Sequence, residues 1–389
     1  STLSSSSAAS DVYKRQAHTR NATVLVDPSL IDEVRAMASG YLVAGKGSHT
    51  VAGTGQEQAK EWLNLVEPLL SSGRAYRLPY GNADVIGAAR QGRSSLLLTV
   101  KHAVDPSNPA AHLPLAIIDP TAELDNSSLK TLAKELSPSV ILTCAASVRK
   151  GVREDFGVKI IGLANTVRTG GHPQSNSDSQ RRGMLLSQAL LMTRESIPAV
   201  TLVTTVNDVR ATAPIGWLHL QNLSTILNGA KPVLHLPESH AGNTILKDSW
   251  WQIQHDVGVD ADGWSDLVGA SPETASLTSA KFVSRTLSAS LKDREAWATD
   301  VMRPASEVIA GNGLVLHSAS HFVMSSSRNE FPLTITNSLA QPVRVKVVVT
   351  SENPQRIDIP DTQVVAIQPK ETQTIKFAPK ASSNGVVEM

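Results

Sequence analysis

The apolar residues of this chain change their period once, after Gly311-Asn312-Gly313, and that change constrains the fold more than any motif does. Before it, short apolar runs alternate with stretches whose apolar residues recur at helical spacing. Residues 22–26 read as a buried strand ending in Asp27-Pro28. A helix over 29–39 follows, with Leu30, Ile31, Val34 and Met37 on one face and Gly40 closing it. A Gly/Ser-rich loop is expected over 45–55. The pattern predicts further helices over 56–70, 126–136, 178–195, 217–227, 249–254 and 279–310, and a short one from an Asn82 cap to Arg90. It predicts strands over 74–78, 115–118, 140–143, 158–163 and 200–205. Strands alternating with helices imply an α/β domain: a mostly parallel sheet, doubly wound or an imperfect β/α barrel, with the barrel-like form preferred.

After the change, Val343, Val345, Val347 and Val349 alternate with Arg344, Lys346 and Val348, as in a half-buried antiparallel strand. Similar strands are expected at 331–336, 362–367 and 372–377, separated by turns such as Ser351-Glu352-Asn353-Pro354 and Gln368-Pro369-Lys370. That spacing predicts an immunoglobulin-like β-sandwich over 313–389, expected to be incomplete because the chain stops where a further strand is expected to begin at Gly385. The α/β domain is assigned to 17–312. Residues 1–16 are expected to be a non-native or disordered leader. The chain does not begin with Met, and Ser10-Asp11-Val12-Tyr13-Lys14-Arg15-Gln16 resembles translated adapter sequence.

Charge excludes one class of partner. The chain has 36 basic and 35 acidic residues, too balanced to give a nucleic-acid binder its basic field. The single cysteine, Cys144, ends an apolar run and reads as a small core hydrophobe. No apolar run approaches the roughly 18–20 residues that span a bilayer; the best, 184–192, is interrupted by Ser187 and Gln188.

The short motifs fail on context. Gly40–Lys46 resembles the start of a P-loop, but Gly47 stands where Ser or Thr should follow. Asp260-Ala261-Asp262-Gly263 resembles the middle of a calcium loop, yet Gly258 and Gly269 occupy ligand positions, so a solvated acidic loop is expected. The eleven histidines show no metal spacing, and neither a metal nor a cofactor is expected. His172 reads as a loop histidine. Ser127-Ser128-Leu129-Lys130 and Ser147-Val148-Arg149-Lys150 match Ser-x-x-Lys, a pattern too short to carry weight. Trp217, Trp250, Trp251 and Trp264 read as core residues before they read as a sugar-stacking platform.

Position is more informative than motif. Ligands of β/α folds bind at the carboxyl ends of parallel strands. Asp27 and Asp119 end strands, Asp84 follows another, and these are the candidate catalytic carboxylates for acid–base chemistry on a sugar or amide. Tyr80, Asn82, Asn207 and Asp208 are the candidate substrate-binding groups. The competing reading is that Asp27, Asp119 and Asn82 cap turns and helices.

Three stretches carry a resemblance: Val26-Asp27-Pro28-Ser29-Leu30-Ile31-Asp32-Glu33-Val34, Leu78-Pro79-Tyr80-Gly81-Asn82-Ala83-Asp84-Val85, and 331–343. Together they resemble an actinobacterial family of unknown function, whose members are large secreted proteins with a C-terminal membrane anchor, often encoded beside a lipid II flippase. The resemblance implies an extracytoplasmic, cell-envelope address, with membrane contact only through segments not in this chain. It implies a scaffold or binding module whose partner is cell-wall glycan or an envelope protein. The alternative is a glycan-active hydrolase or deacetylase-like enzyme using the strand-end carboxylates.

Overall fold

The computed structural model describes residues 22–44, 50–144, 152–163, 177–194, 200, 202–203, 221–228, 231–232, 248–288, 291, 293–309, 313–318, 330–339, 341–351, 354–360 and 364–382. By contacts the chain divides into two units. The first comprises Ser1–Trp250 with Val283–Leu291, and the second Trp251–Phe282 with Lys292–Met389. The division therefore does not fall at residue 312. Leu267 and Gly269, at the end of a helix, pack on Val343, Ile367 and Arg344 of the β-rich segment and join it.

In the first unit, β1 (Val24–Val26) pairs in parallel with β4 (Ala75–Arg77). Arg77 bridges Leu115 in parallel, next to β5 (Ala116–Asp119). β5 pairs in parallel with β6 (Val140–Thr143), and β6 with β8 (Val158–Gly162). These parallel strands neighbour one another in chain order. A doubly wound sheet reverses its order at a switch point, whereas the wall of a β/α barrel does not. The order departs only beyond β8: β7 (Val152–Asp155) lies antiparallel to it, a hairpin not foreseen from sequence, and β9 (Lys231–Pro232) is parallel to β7.

The strands are short and apolar because both faces are covered. On one face Val26 and Ala75 pack with Ile31, Trp62, Val66 and Leu70 from the Pro28–Ser39 and Gln56–Leu70 helices. On the other, Tyr76, Ala116, Val140, Leu142 and Ile161 pack with Leu223 and Leu227 of the Leu223–Leu227 helix. The Asn126–Glu135 helix opens on a capping box in which Asp125 and Ser128 satisfy each other's backbone N–H. The Asp178–Arg194 helix lies where the periodicity placed it.

Several expectations need correction. Asp84, not Asn82, caps the short helix, which runs Val85–Arg90; Asn82 lies in a tight 3₁₀ turn, Tyr80–Asn82. A further helix, Ser94–His102, buries Leu96, Leu97 and Val100. The segment read as a Gly/Ser loop contains a small hairpin, β2 (Leu42–Ala44) with β3 (Thr50–Ala52). Asp260-Ala261-Asp262-Gly263 is not a loop: the Asp248–Leu267 helix runs through it, with Val257, Ala261 and Ser265 on its buried face and Asp262 outside. The expected single helix over 279–310 is two, Pro272–Thr286 and Arg294–Ile309. Residues 1–16, the strand expected at 200–205 apart from 200, 202 and 203, His172 and Trp217 lie outside the described residues. No helix among the described residues is long and apolar enough to cross a membrane.

The second unit carries small antiparallel sheets. β10 (Leu314–Ser318), β11 (Phe331–Asn337) and β15 (Thr372–Phe377) form one, β12 (Val343–Val345) and β14 (Val365–Ile367) another, and β13 (Ile357–Asp358) and β16 (Lys380–Ala381) a third. Ile335 of β11, Val343 of β12 and Ile367 of β14 share one apolar core, so the first two sheets pack on each other. The period-2 register holds: Val343, Val345, Val347 and Val349 are buried or half-buried, and Arg344, Lys346 and Val348 are exposed. Asn337 is 0% exposed; its amide nitrogen approaches the carbonyls of Gln341 (2.9 Å), Ile367 (3.2 Å) and Gln368 (3.0 Å). Its amide oxygen accepts from Leu339 N at 2.9 Å.

Truncating Ile367, which is 0% exposed, should destabilise the second unit by about 2–5 kcal/mol. Lys346→Ala, on the exposed side of the same core, should move stability by no more than about 0.5 kcal/mol. Denaturant unfolding of both variants checks the register; equal effects would contradict it.

Candidate functional site

Because β1, β4, β5 and β6 run parallel, their carboxyl ends face one edge, and that edge carries Asp27, the Tyr80–Asp84 turn, Asp119 and Thr143. Asp27 caps the Pro28–Ser39 helix. Its Oδ1 accepts from Ser29 N at 2.8 Å and from Gly81 N at 2.9 Å, across from β1 to the loop after β4. Burial raises its pKa above the usual aspartate value, while these hydrogen bonds and the charge of Arg285 pull against that rise.

Gly81 makes the contact possible. Its φ is 69°, and a Cβ there would lie 2.9 Å from Arg285 Cδ and 3.2 Å from Arg285 Cα. Arg285 belongs to the last turn of the Pro272–Thr286 helix and pairs with Glu33. Beside it, Ser284 Oγ donates to Tyr80 O at 2.7 Å. The Tyr80 hydroxyl donates to Asp32 Oδ2 at 3.0 Å, and Asn108 Nδ2 donates to Asp32 Oδ1 at 2.8 Å. Burial first, and then the Asp32 carboxylate, push the Tyr80 pKa far up, so the phenol keeps its proton and acts as a donor.

Asp84 lies on the neighbouring side of the turn. Its Oδ1 accepts from Gly87 N at 2.9 Å and its own N–H donates to Leu287 O at 2.8 Å. Asp119 is 1% exposed and saturated. Oδ1 accepts from Glu123 N (3.0 Å) and Thr121 Oγ1 (3.4 Å), and Oδ2 from Leu124 N (3.1 Å) and Thr143 Oγ1 (2.6 Å). A cleft of about 60 Å³ lies between these segments, lined among others by Pro79, Asn82, Asp84, Ile118, Asp119 and Thr121. Ligand pockets are commonly roughly 300–1,000 Å³, so this one has room for a few waters or a single small group.

The edge thus brings Asn82, Asp84 and Asp119 to one cleft, with Asp27 and Tyr80 in an adjoining hydrogen-bond network around Gly81 and Asp32. Asn207 and Asp208 lie outside the described residues. Sequence reasoning missed the charged group behind the cleft. Arg90 Nη1 donates to Glu123 Oε2 at 3.0 Å, and Arg90 Nε lies 3.7 Å from Asp125 Oδ2; these side chains are 10%, 11% and 9% exposed. One signal was available: Glu123 and Asp125 both fall in the short loop between strand-end Asp119 and the next helix. Of the Ser-x-x-Lys matches, Ser127–Lys130 starts a helix whose Ser128 is buried in its capping box. Ser147–Lys150 lies outside the described residues. No group of three or more metal-ligating side chains occurs among the described residues.

Residues 204–389 match the model of a family of unknown function, DUF6049. No curated protein matches the chain. Among solved structures, the α-amylase AmyC from Thermotoga maritima aligns at 10% identity and a TM-score of 0.37, over 66% of this chain and 74% of that one.

Gly81→Ala should lower the melting temperature measurably, since a methyl group there meets Arg285 and requires a left-handed residue. Asp119→Ala leaves the buried N–H groups of Glu123 and Leu124 and the Thr143 hydroxyl without their acceptor. At about 1–3 kcal/mol for each unsatisfied group, it should be among the most destabilising substitutions in the first unit. Unchanged stability for either variant in thermal unfolding would contradict these geometries.

Proposed function

We propose that this chain is a non-catalytic binding or scaffold module of an extracytoplasmic, cell-envelope protein, with cell-wall glycan or another envelope protein as partner. The β-rich segment then serves as an immunoglobulin-like spacer that presents the α/β unit. The observation that carries the non-catalytic part is the state of the strand-end acids. Asp119 accepts four donors from its own chain, Asp27 holds Ser29 and Gly81, and Asp84 holds Gly87. A general acid or base needs an oxygen within reach of the substrate proton. These carboxylates are engaged as caps and struts instead, and the cleft beside Asp84 and Asp119 is too small for a sugar ring. The envelope address rests on the sequence resemblance, and the match to a family of unknown function is compatible with it.

Purified chain incubated with isolated cell-wall sacculi tests both halves. The expected result is co-sedimentation with the sacculi, or with envelope proteins left on them, and no release of reducing sugar, free amine or acetate. Release that disappears in Asp84→Asn, with folding intact, would replace the scaffold reading with a glycan-active hydrolase or deacetylase. Neither binding nor release would remove the cell-wall partner from the proposal.

A further inference from the structure

The loop joining β5 to the Asn126–Glu135 helix brings Asp119, Glu123 and Asp125 close together in sequence, and two of them meet Arg90. Glu123 faces Arg90 and feels the charges of Asp84, at the cap of the Val85–Arg90 helix, and of Asp119 of β5, while Asp125 of its own loop approaches the same arginine. Arg90 pairs with Glu123 and approaches Asp125.

The carboxylates are not equally supported. Asp84 accepts a backbone N–H from Gly87, Asp119 accepts N–H groups from Glu123 and Leu124, and Asp125 accepts Ser128 N at 2.7 Å. Backbone donors fixed in place stabilise the charged form of a carboxylate. Glu123 has no such donor among the described residues; its hydrogen bond comes from Arg90. Arg90 in turn has Asp125 at 3.7 Å as a second anion, so the arginine stays paired if Glu123 becomes neutral.

We propose that Arg90, Glu123 and Asp125 form a proton-sensitive latch on this loop, in which Glu123 takes up a proton on mild acidification and the folded first unit is stabilised. Thr121 and Asp119 of the same loop line the cleft, so the latch holds one cleft wall. The direction of the Glu123 pKa agrees. Burial pushes it above the usual glutamate value of 4.5, Arg90 pulls it down, and Asp84 and Asp119 push it up. A folded-state pKa above the unfolded one gives stability that is fully present below the unfolded pKa and lost as pH rises through the folded pKa. The window therefore opens just above pH 4.5, the ordinary glutamate value.

Thermal unfolding of the full chain and of Glu123→Gln across that window tests the latch. Asp27 contributes a shift of the same sign, but it is present in both proteins and cancels in their difference. The expected result is that the melting temperature of the unsubstituted chain, minus that of Glu123→Gln, grows as pH falls. A difference that is constant or shrinks overturns the proposal. Carboxyl-carbon NMR titration of the unsubstituted chain gives an answer even if the variant does not fold: a Glu123 midpoint above 4.5 supports the latch, and a midpoint at or below 4.5 refutes it.

Discussion

Parallel strands buried on both faces end abruptly, and each end leaves backbone N–H groups that neither the sheet nor water can satisfy. In the first unit that constraint falls on the carboxyl edge, where β1, β4 and β5 all turn back into helices. Two aspartates meet it. Asp27 ties the helix after β1 to the turn after β4 through Ser29 and Gly81. Asp119 closes the loop after β5 through Glu123 and Leu124 and reaches β6 through Thr143. These bonds join the end of β1 to the turn after β4 and the end of β5 to β6, and position the helices that follow β1 and β5.

The same bonds decide what the edge can do chemically. Charges at the carboxyl edge of a β/α sheet suggest a catalytic site, because active sites of such folds lie there. A carboxylate whose oxygens are occupied by backbone N–H groups is turned toward its own chain, which suits a cap and not a proton shuttle. Asp119 is the extreme case, with Thr143 Oγ1 at 2.6 Å on one oxygen and Glu123 N at 3.0 Å on the other. Glu123, four residues further along, takes its hydrogen bond from the Arg90 guanidinium instead, and its role is electrostatic rather than architectural.

Which parts of this were legible in the sequence follows from whether local or tertiary forces set them. The strands at Val24, Val140 and Val158 and the Gln56–Leu70 helix are fixed by apolar period, and the sequence reading places them closely. So is the alternation from Val343 to Val349, which survives even where regular strand ends at Val345. The shared edge of Asp27 and Asp119 also follows from parallel pairing alone. Caps were harder. Asn82 and Asp84 are equally good cap residues, and the left-handed turn at Gly81 (φ 69°) and Asn82 (φ 49°) moves the helix start to the second. Ala122 adopts φ 62° without glycine's freedom, bending the loop so that Glu123 meets Arg90; nothing local to that alanine announces it. The glycines at 53 and 55 suggested a loop, but they seat the Tyr41 ring, whose hydroxyl accepts Gly55 N at 3.2 Å. The acidic stretch at Asp260 looked solvated because two charges dominate it, although Val257, Ala261 and Ser265 keep helical spacing beneath them.

The two units meet the same constraint with different chemistry. Where β11 ends, the carbonyls of Gln341, Ile367 and Gln368 are met by the neutral amide of the buried Asn337, which also accepts Leu339 N. An amide provides donor and acceptor without charge, so burying it fully carries no ionisation penalty and its bonds do not change with pH. The first unit uses the carboxylates of Asp27 and Asp119 for the corresponding task. Asp27 gains the Arg285 charge and Glu123 that of Arg90, yet burial dominates and both pKa values stay raised. Both buried acids therefore favour the folded state more at acid than at neutral pH, while the Asn337 clamp of the second unit is indifferent. At the end of β1 the choice of a carboxylate over an amide thus couples the first unit to proton concentration through Asp27.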